Sequence, residues 1–193
     1  MSNMNTEQKT VFLDLDGVCA NLLKSLCSQL NKDYDTLMQE CMTGKDWPEL
    51  MGLEDQALWD HINDAEENFW AEFEPYPWFP HMYHELKKQY DVVFLTSPGN
   101  SKTAASGKVR WLHKHINKQV PYIITRKKHF CAAPNRLLVD DSIKQIKEFS
   151  QAGGKTLHFP QPWSTQVHTA EFFSGAENVA SGIRKIIEDT FRS

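Results

Sequence analysis

The sequence predicts an α/β fold: a parallel sheet with helices on both faces, interrupted early by a helical insertion. Three observations predict it. From about residue 75 onward, short apolar runs alternate with stretches of helical spacing, the pattern of a parallel sheet with crossover helices. The apolar runs have no polar face, which suits strands buried on both sides. Residues 19–74 carry helical periodicity and no strand pattern. The expected division is a core of residues 1–18 and 75–193 with an insertion of residues 19–74.

Each element follows from local pattern. Val11, Phe12 and Leu13 make a buried strand at about 10–15, ending in Asp14, Asp16 and Gly17. In the insertion, Leu23, Leu26, Cys27 and Leu30 mark one helix, and Tyr34, Leu37, Met38 and Cys41 a second. Gly44 and Pro48 break the pattern. Leu53, Ala57, Leu58 and Ile62 suggest a third helix, and Ala65, Phe69, Trp70 and Phe73 a fourth. The proline-rich run 74–80 returns the chain to the core. Then come a helix through Met82, Leu86 and Tyr90 and a strand at 92–95 ending in Thr96 and Ser97. A helix through Val109, Leu112 and Ile116 is expected to begin at Lys108, after Gly107. A strand at 122–125 runs into Arg126, Lys127 and Lys128, and a strand at 137–139 into Asp140 and Asp141. The next helix has Ser142 as N-cap and Gly153 as its stop. A last strand at 155–159 and a helix through Val179, Ile183 and Ile187 close the chain.

At 193 residues the chain suffices for one domain with a sizeable core. No apolar run approaches a membrane span, and Met1 to Lys9 lack the apolar stretch of a signal peptide. Four cysteines without CxxC spacing read as reduced thiols, so a cytoplasmic protein is expected. Charge is uneven. Residues 31–74 hold 13 acidic residues against Lys32 and Lys45, while residues 75–193 hold 17 basic against 9 acidic. An acidic flank fits a small phosphate ester better than a nucleic-acid track.

The chemistry gathers at the strand ends, where ligands of such sheets bind. Alternation points Asp14 and Asp16 the same way. Four strands end in Asp14/Asp16, Thr96/Ser97, Lys127/Lys128 and Asp140/Asp141. As a set they describe phosphoryl transfer: a carboxylate to attack phosphorus, and a second to protonate the leaving oxygen and then deprotonate water. A hydroxyl and a lysine would hold the phosphate oxygens. Acids this close would repel one another without a cation, and Mg²⁺ suits all-oxygen ligands.

The segments DLDGV at 14–18, FLTSP at 94–98, TRKKH at 125–129 and LLVDDS at 137–142 resemble the haloacid dehalogenase (HAD) superfamily of phosphohydrolases. That resemblance implies a HAD-like Rossmannoid three-layer parallel sheet with a small helical cap after the first strand. It implies Asp14 as nucleophile and Asp16 as acid/base. Thr96, Ser97 and a lysine would bind phosphate; Lys128 is favoured over Lys127, and Lys108 reads equally as a phosphate ligand or a solvated first-turn lysine. Asp14, Asp16 (through its carbonyl oxygen) and Asp140 or Asp141 would hold Mg²⁺. More narrowly, the chain resembles the 5'(3')-deoxyribonucleotidases, the type C branch of the 5'-nucleotidases. The segment 107–112 and the position of the insertion add to this likeness. It implies a nucleoside or deoxynucleoside monophosphate substrate, with Phe69, Trp70 and Trp78 around the base. Asn21 stands where that family usually has Asp, and Leu22 where an aromatic is common.

Other readings stay open at the level of sequence. Phe69, Trp70 and Phe73 have the spacing of insertion core as well as of a base platform. The substrate could be a nucleic-acid 3' end or a sugar phosphate, and a pocket without turnover would make a nucleotide sensor. A small nucleotide is the expected partner, a homodimer is open, and neither membrane nor nucleic acid is expected. His113 and His115 diverge on a helix and make a poor metal pair, and His81 and His84 lack a further ligand and read as surface. Trp163 reads as packing or as part of the cleft wall.

Overall fold

The computed structural model describes residues 8–163 and 175–192. Its centre is a five-stranded parallel sheet of β1 (Thr10–Leu13), β2 (Asp91–Thr96), β3 (Tyr122–Ile124), β4 (Arg136–Asp140) and β5 (Lys155–His158). The spatial order is β3-β2-β1-β4-β5, so the first strand lies in the middle. Leu13 pairs in register with Phe94 and Val139, which sets Asp14 beside the ends of β2 and β4.

Strand alternation divides the core into two layers. Val11, Leu13, Val92, Phe94, Leu137 and Val139 face one way into the large apolar cluster. The helices on that face are α6 (Phe79–Leu86), α7 (Ala104–His115) and α9 (Ala176–Arg192), which bury Phe79, Trp111 and Ile183 among others. On the opposite face Phe12, Leu95 and Leu138 pack on Phe149 of α8 (Ile143–Gln151). Phe12 and Phe149 meet edge to face at 6.1 Å.

Residues 20–74 form α1 (Leu22–Gln29), α2 (Tyr34–Met42), α3 (Trp47–Leu50), α4 (Asp55–Asp64) and α5 (Glu67–Ala71) with no named strand among them. Asn21 caps α1, its side chain accepting from the Lys24 amide at 3.0 Å while its amide donates to the Tyr34 hydroxyl at 2.9 Å. One residue thus starts the first helix and ties it to the second. Asp33 caps α2 at 2.8 Å through the Thr36 amide.

Two local expectations need correction. The stretch around Pro48, read as a break, forms the short helix α3, because proline fits a first helical turn. Helix α7 begins at Ala104 rather than Lys108, so Gly107 and Lys108 lie inside it. Gly107 is there for contact: a Cβ would sit 2.5 Å from Trp70 Cβ and 2.6 Å from the Glu67 carbonyl oxygen. Its bare backbone lets α5 press against α7. Ser142 does stand at the N-cap of α8, but its side chain makes no capping bond. Among the described residues no helix is long and apolar enough to cross a membrane, and all four cysteines are free.

Candidate active site

The strand ends converge. Asp14 follows β1 directly, and its backbone amide still joins the ladder to the Val139 carbonyl at 3.0 Å. Asp140 ends β4, fully buried, with Oδ1 accepting from the Ser142 amide at 2.9 Å. Between them lies Lys128, also buried, in the 3₁₀ turn Lys128–Cys131 that follows β3. Its Nζ lies 2.9 Å from Asp14 Oδ1 and 2.7 Å from Asp140 Oδ2. Burial works against the Lys128 charge, yet the Asp14 and Asp140 carboxylates outweigh it and raise its pKa. Lys127 is exposed, which settles which lysine enters the site.

A second lysine enters from the other side. Lys108 is buried within α7 and donates to Asp16 Oδ2 at 2.6 Å, to Thr96 Oγ1 at 3.2 Å and to the Ser97 carbonyl oxygen at 2.5 Å. It also lies 5.3 Å from the Trp70 ring centroid. The reading of Lys108 as a solvated first-turn lysine therefore needs revision: it is buried inside the helix and bound to Asp16. Burial raises the Asp16 pKa; Lys108 opposes the rise and the Asp14 charge adds to it. Ser97 turns its hydroxyl back to accept from the Gly99 amide at 3.1 Å.

Gly17 makes the cluster compact. Its φ is +74°, and a Cβ there would fall 2.1 Å from Asp141 Oδ2. Asp14, Asp140 and Asp141 each offer a carboxylate oxygen within 4.8 Å of the others. Burial and then Asp14's charge push the Asp140 carboxyl up to about 6. Burial, Asp140 and Asp14 raise Asp141 well above the usual carboxylate range. The buried Asp16 Oδ1 has no hydrogen-bond partner among the described residues. Three crowded carboxylate oxygens, two of them on acids whose burial opposes ionisation, fit a hard divalent cation. The Asp16 carboxylate is outside this trio.

The cluster floors a cleft of about 430 Å³ whose far wall comes from the helical insertion. Trp47 of α3 and Trp59 of α4 stand there edge to face at 6.0 Å, with Tyr76 and Trp163 also on the cleft. The predicted aromatic residues fare differently. Trp70 borders an adjoining lobe beside Lys108. Phe69 faces a separate groove with Lys24 and Glu72, because it packs edge-on against Trp70 and Phe73. Trp78 is buried against Tyr76 at 4.4 Å and donates its indole N–H to the Val18 carbonyl at 2.9 Å. Phe69 and Trp78 are thus packing residues. The sequence signal for Trp47 and Trp59 was present, two tryptophans in an acidic segment, but the helix break at Pro48 masked it.

Fold and site define a hydrolase of the haloacid dehalogenase type, with the strand-end set of a phosphatase. Solved structures share the fold. A haloacid dehalogenase-like family hydrolase from Xanthomonas campestris aligns with a TM-score of 0.56 at 10% identity, over 100% of this chain and 97% of that one. A dehalogenase aligns with a TM-score of 0.51 at 13% identity, over 85% and 88% of the two chains. Comparison with curated proteins returns no match. The family described as 5' nucleotidase, deoxy (pyrimidine), cytosolic type C protein (NT5C) matches residues 8–183, and the chain belongs to it.

Proposed function

We propose that the protein is a Mg²⁺-dependent nucleotidase that hydrolyses nucleoside or deoxynucleoside monophosphates through an aspartyl-phosphate intermediate. The observation that carries this reading is the bridge of Lys128 between Asp14 and Asp140, with Asp16 held by Lys108 on the other side. The bridge anchors the nucleophile at the sheet rim. Asp14 attacks phosphorus and the bond to the nucleoside oxygen breaks. Asp16, whose pKa burial raises, donates a proton to that oxygen. It then takes a proton from water, which attacks the phosphoryl group and frees Asp14 with release of phosphate. Lys128, Lys108 and Thr96 supply positive charge and a hydroxyl where charge develops on the phosphoryl oxygens.

Asp14, Asp140 and Asp141 would hold the Mg²⁺. When bound, the ion neutralises phosphoryl charge and the repulsion among these acids. Residues 19–74 serve as the cap over a core of 1–18 and 75–193. Within the cap Trp47 and Trp59 offer the nucleobase a stacking surface that any base can use. The word cytosolic in the family's description accords with a cytoplasmic location. The test is phosphate release from mononucleotides with and without Mg²⁺. The reading predicts release that needs the ion and is lost in Asp14→Asn; sugar phosphates hydrolysed faster than any nucleotide would overturn it.

A further inference from the structure

The cleft does not end at Trp59. A second lobe of about 390 Å³ opens beyond it, bordered by Lys108, Arg126, Lys144, Asn63 and Asn100. The two lobes have opposite signs. Among the described residues the first is edged by Asp14, Asp16, Asp46, Asp140 and Asp141 against Lys128 alone. The second has, among the described residues, three cations and a single acid, Asp16, whose carboxylate is already bonded to Lys108. Asp16, Ser97, Trp59 and Gln145 border both lobes, so a ligand in one is within reach of the other.

Two of the three cations of this lobe are available. Arg126 follows the end of β3 and Lys144 lies in the first turn of α8, both on the rim that carries the catalytic set. Neither has a hydrogen bond or ion pair among the described residues. By contrast, Arg110 and Lys114 on neighbouring α7 are paired with Glu67 and Glu72. Asn63 accepts from the Asn100 amide at 3.1 Å through Oδ1, which leaves its own N–H₂ group as a donor. Cations and amide donors without a counter-acid select an anion, and an arginine fork matches phosphate.

We propose that the second lobe is a subsite for a second phosphate, and that the preferred substrates are nucleosides bearing two separate phosphoryl groups, such as 3',5'-bisphosphates. The proposal rests on the nucleotidase reading above: one phosphate meets Asp14 and Lys128 while the other meets Arg126 and Lys144. A small molecule is favoured over a polynucleotide because the flanking segment 31–74 is strongly acidic.

The experiment compares kcat/KM for thymidine 3',5'-bisphosphate, thymidine 5'-monophosphate and thymidine 3'-monophosphate in the wild type and in an Arg126→Ala/Lys144→Ala double variant. Expected is at least a tenfold preference for the bisphosphate, seen mainly in KM and falling to about one in the double variant. Calorimetry on the Asp14→Asn protein should give the same order of affinities. Monophosphates hydrolysed with no preference for the bisphosphate leave the nucleotidase reading standing and overturn this one. Release from no nucleotide defeats the nucleotidase reading, and the calorimetric ratio then decides the lobe by itself. A 3'-phosphorylated oligonucleotide that outperforms the bisphosphate, with a steep salt dependence, assigns the lobe to a polymer and also overturns the proposal.

Discussion

On the sheet side of the cleft, Asp14, Asp140 and Asp16 each meet a lysine within hydrogen-bonding distance. On the helical side, Trp47 and Trp59 touch edge to face, and Trp59 remains 45% exposed. The first region is finished before substrate arrives: its charges are oriented by one another. The second keeps apolar area in water, area that a ligand can cover. On the proposed function, chemistry depends on the rim and affinity on the wall, and the two should fail differently.

The sharpest break is Asp14→Asn. It removes the nucleophile while keeping shape, so kcat should fall by roughly 10⁴-fold or more. Circular dichroism should stay native and nucleotide binding should persist; a fall in KM affinity alone would erase the contrast. Next is Lys128→Met, which leaves Asp14 and Asp140 facing each other buried and unpaired. Breaking a buried pair of this kind costs about 3–5 kcal/mol, read as a lower urea midpoint without added metal.

Third is the response to Mg²⁺. The folded-state pKa of Asp140 stands near 6, above its unfolded value, so the metal-free fold loses stability as pH rises from about 4 through 6. Mg²⁺ binds the ionised form. At a hundredfold excess over Kd it should add about 2.7 kcal/mol at pH 7.5, and much less at pH 5. Thermal melts at both pH values, with and without the ion, measure the difference. The smallest effect belongs to the wall: Trp59→Ala should raise KM about tenfold through lost stacking. Its melting temperature should hardly move, because the ring is half exposed. A large drop in Tm would mean that Trp59 is core, not wall.

The same contrast explains what could be read from sequence. The rim was legible because strand alternation, an abrupt end in acids and a following glycine each have one physical solution. The sheet, its helical insertion and the meeting of Asp14 with Asp140 all follow from such patterns. Lys127 and Lys128 could not be separated, since the choice depends on a 3₁₀ turn that rotates one lysine inward. The role of Lys108 was hidden by four residues of helix before it, with the tight fit of Gly107 on Trp70 fixing its reach. The wall was misread for another reason. Phe69, Trp78, Trp47 and Trp59 carry similar local signals, and only tertiary packing decides which of them face the cleft.

Lys128 reaches its partners from 114 positions away in one case and 12 in the other, across a strand that occupies the middle of the sheet. During synthesis on the ribosome, β1 emerges first and must wait for both of its neighbours. Until the segment around residues 128–140 has left the exit tunnel, the nucleophile has no cation to accept its burial. A nascent chain halted before that point holds an acid that prefers water, so the Asp14–Lys128–Asp140 bridge also reports that β1, β4 and the turn after β3 have met.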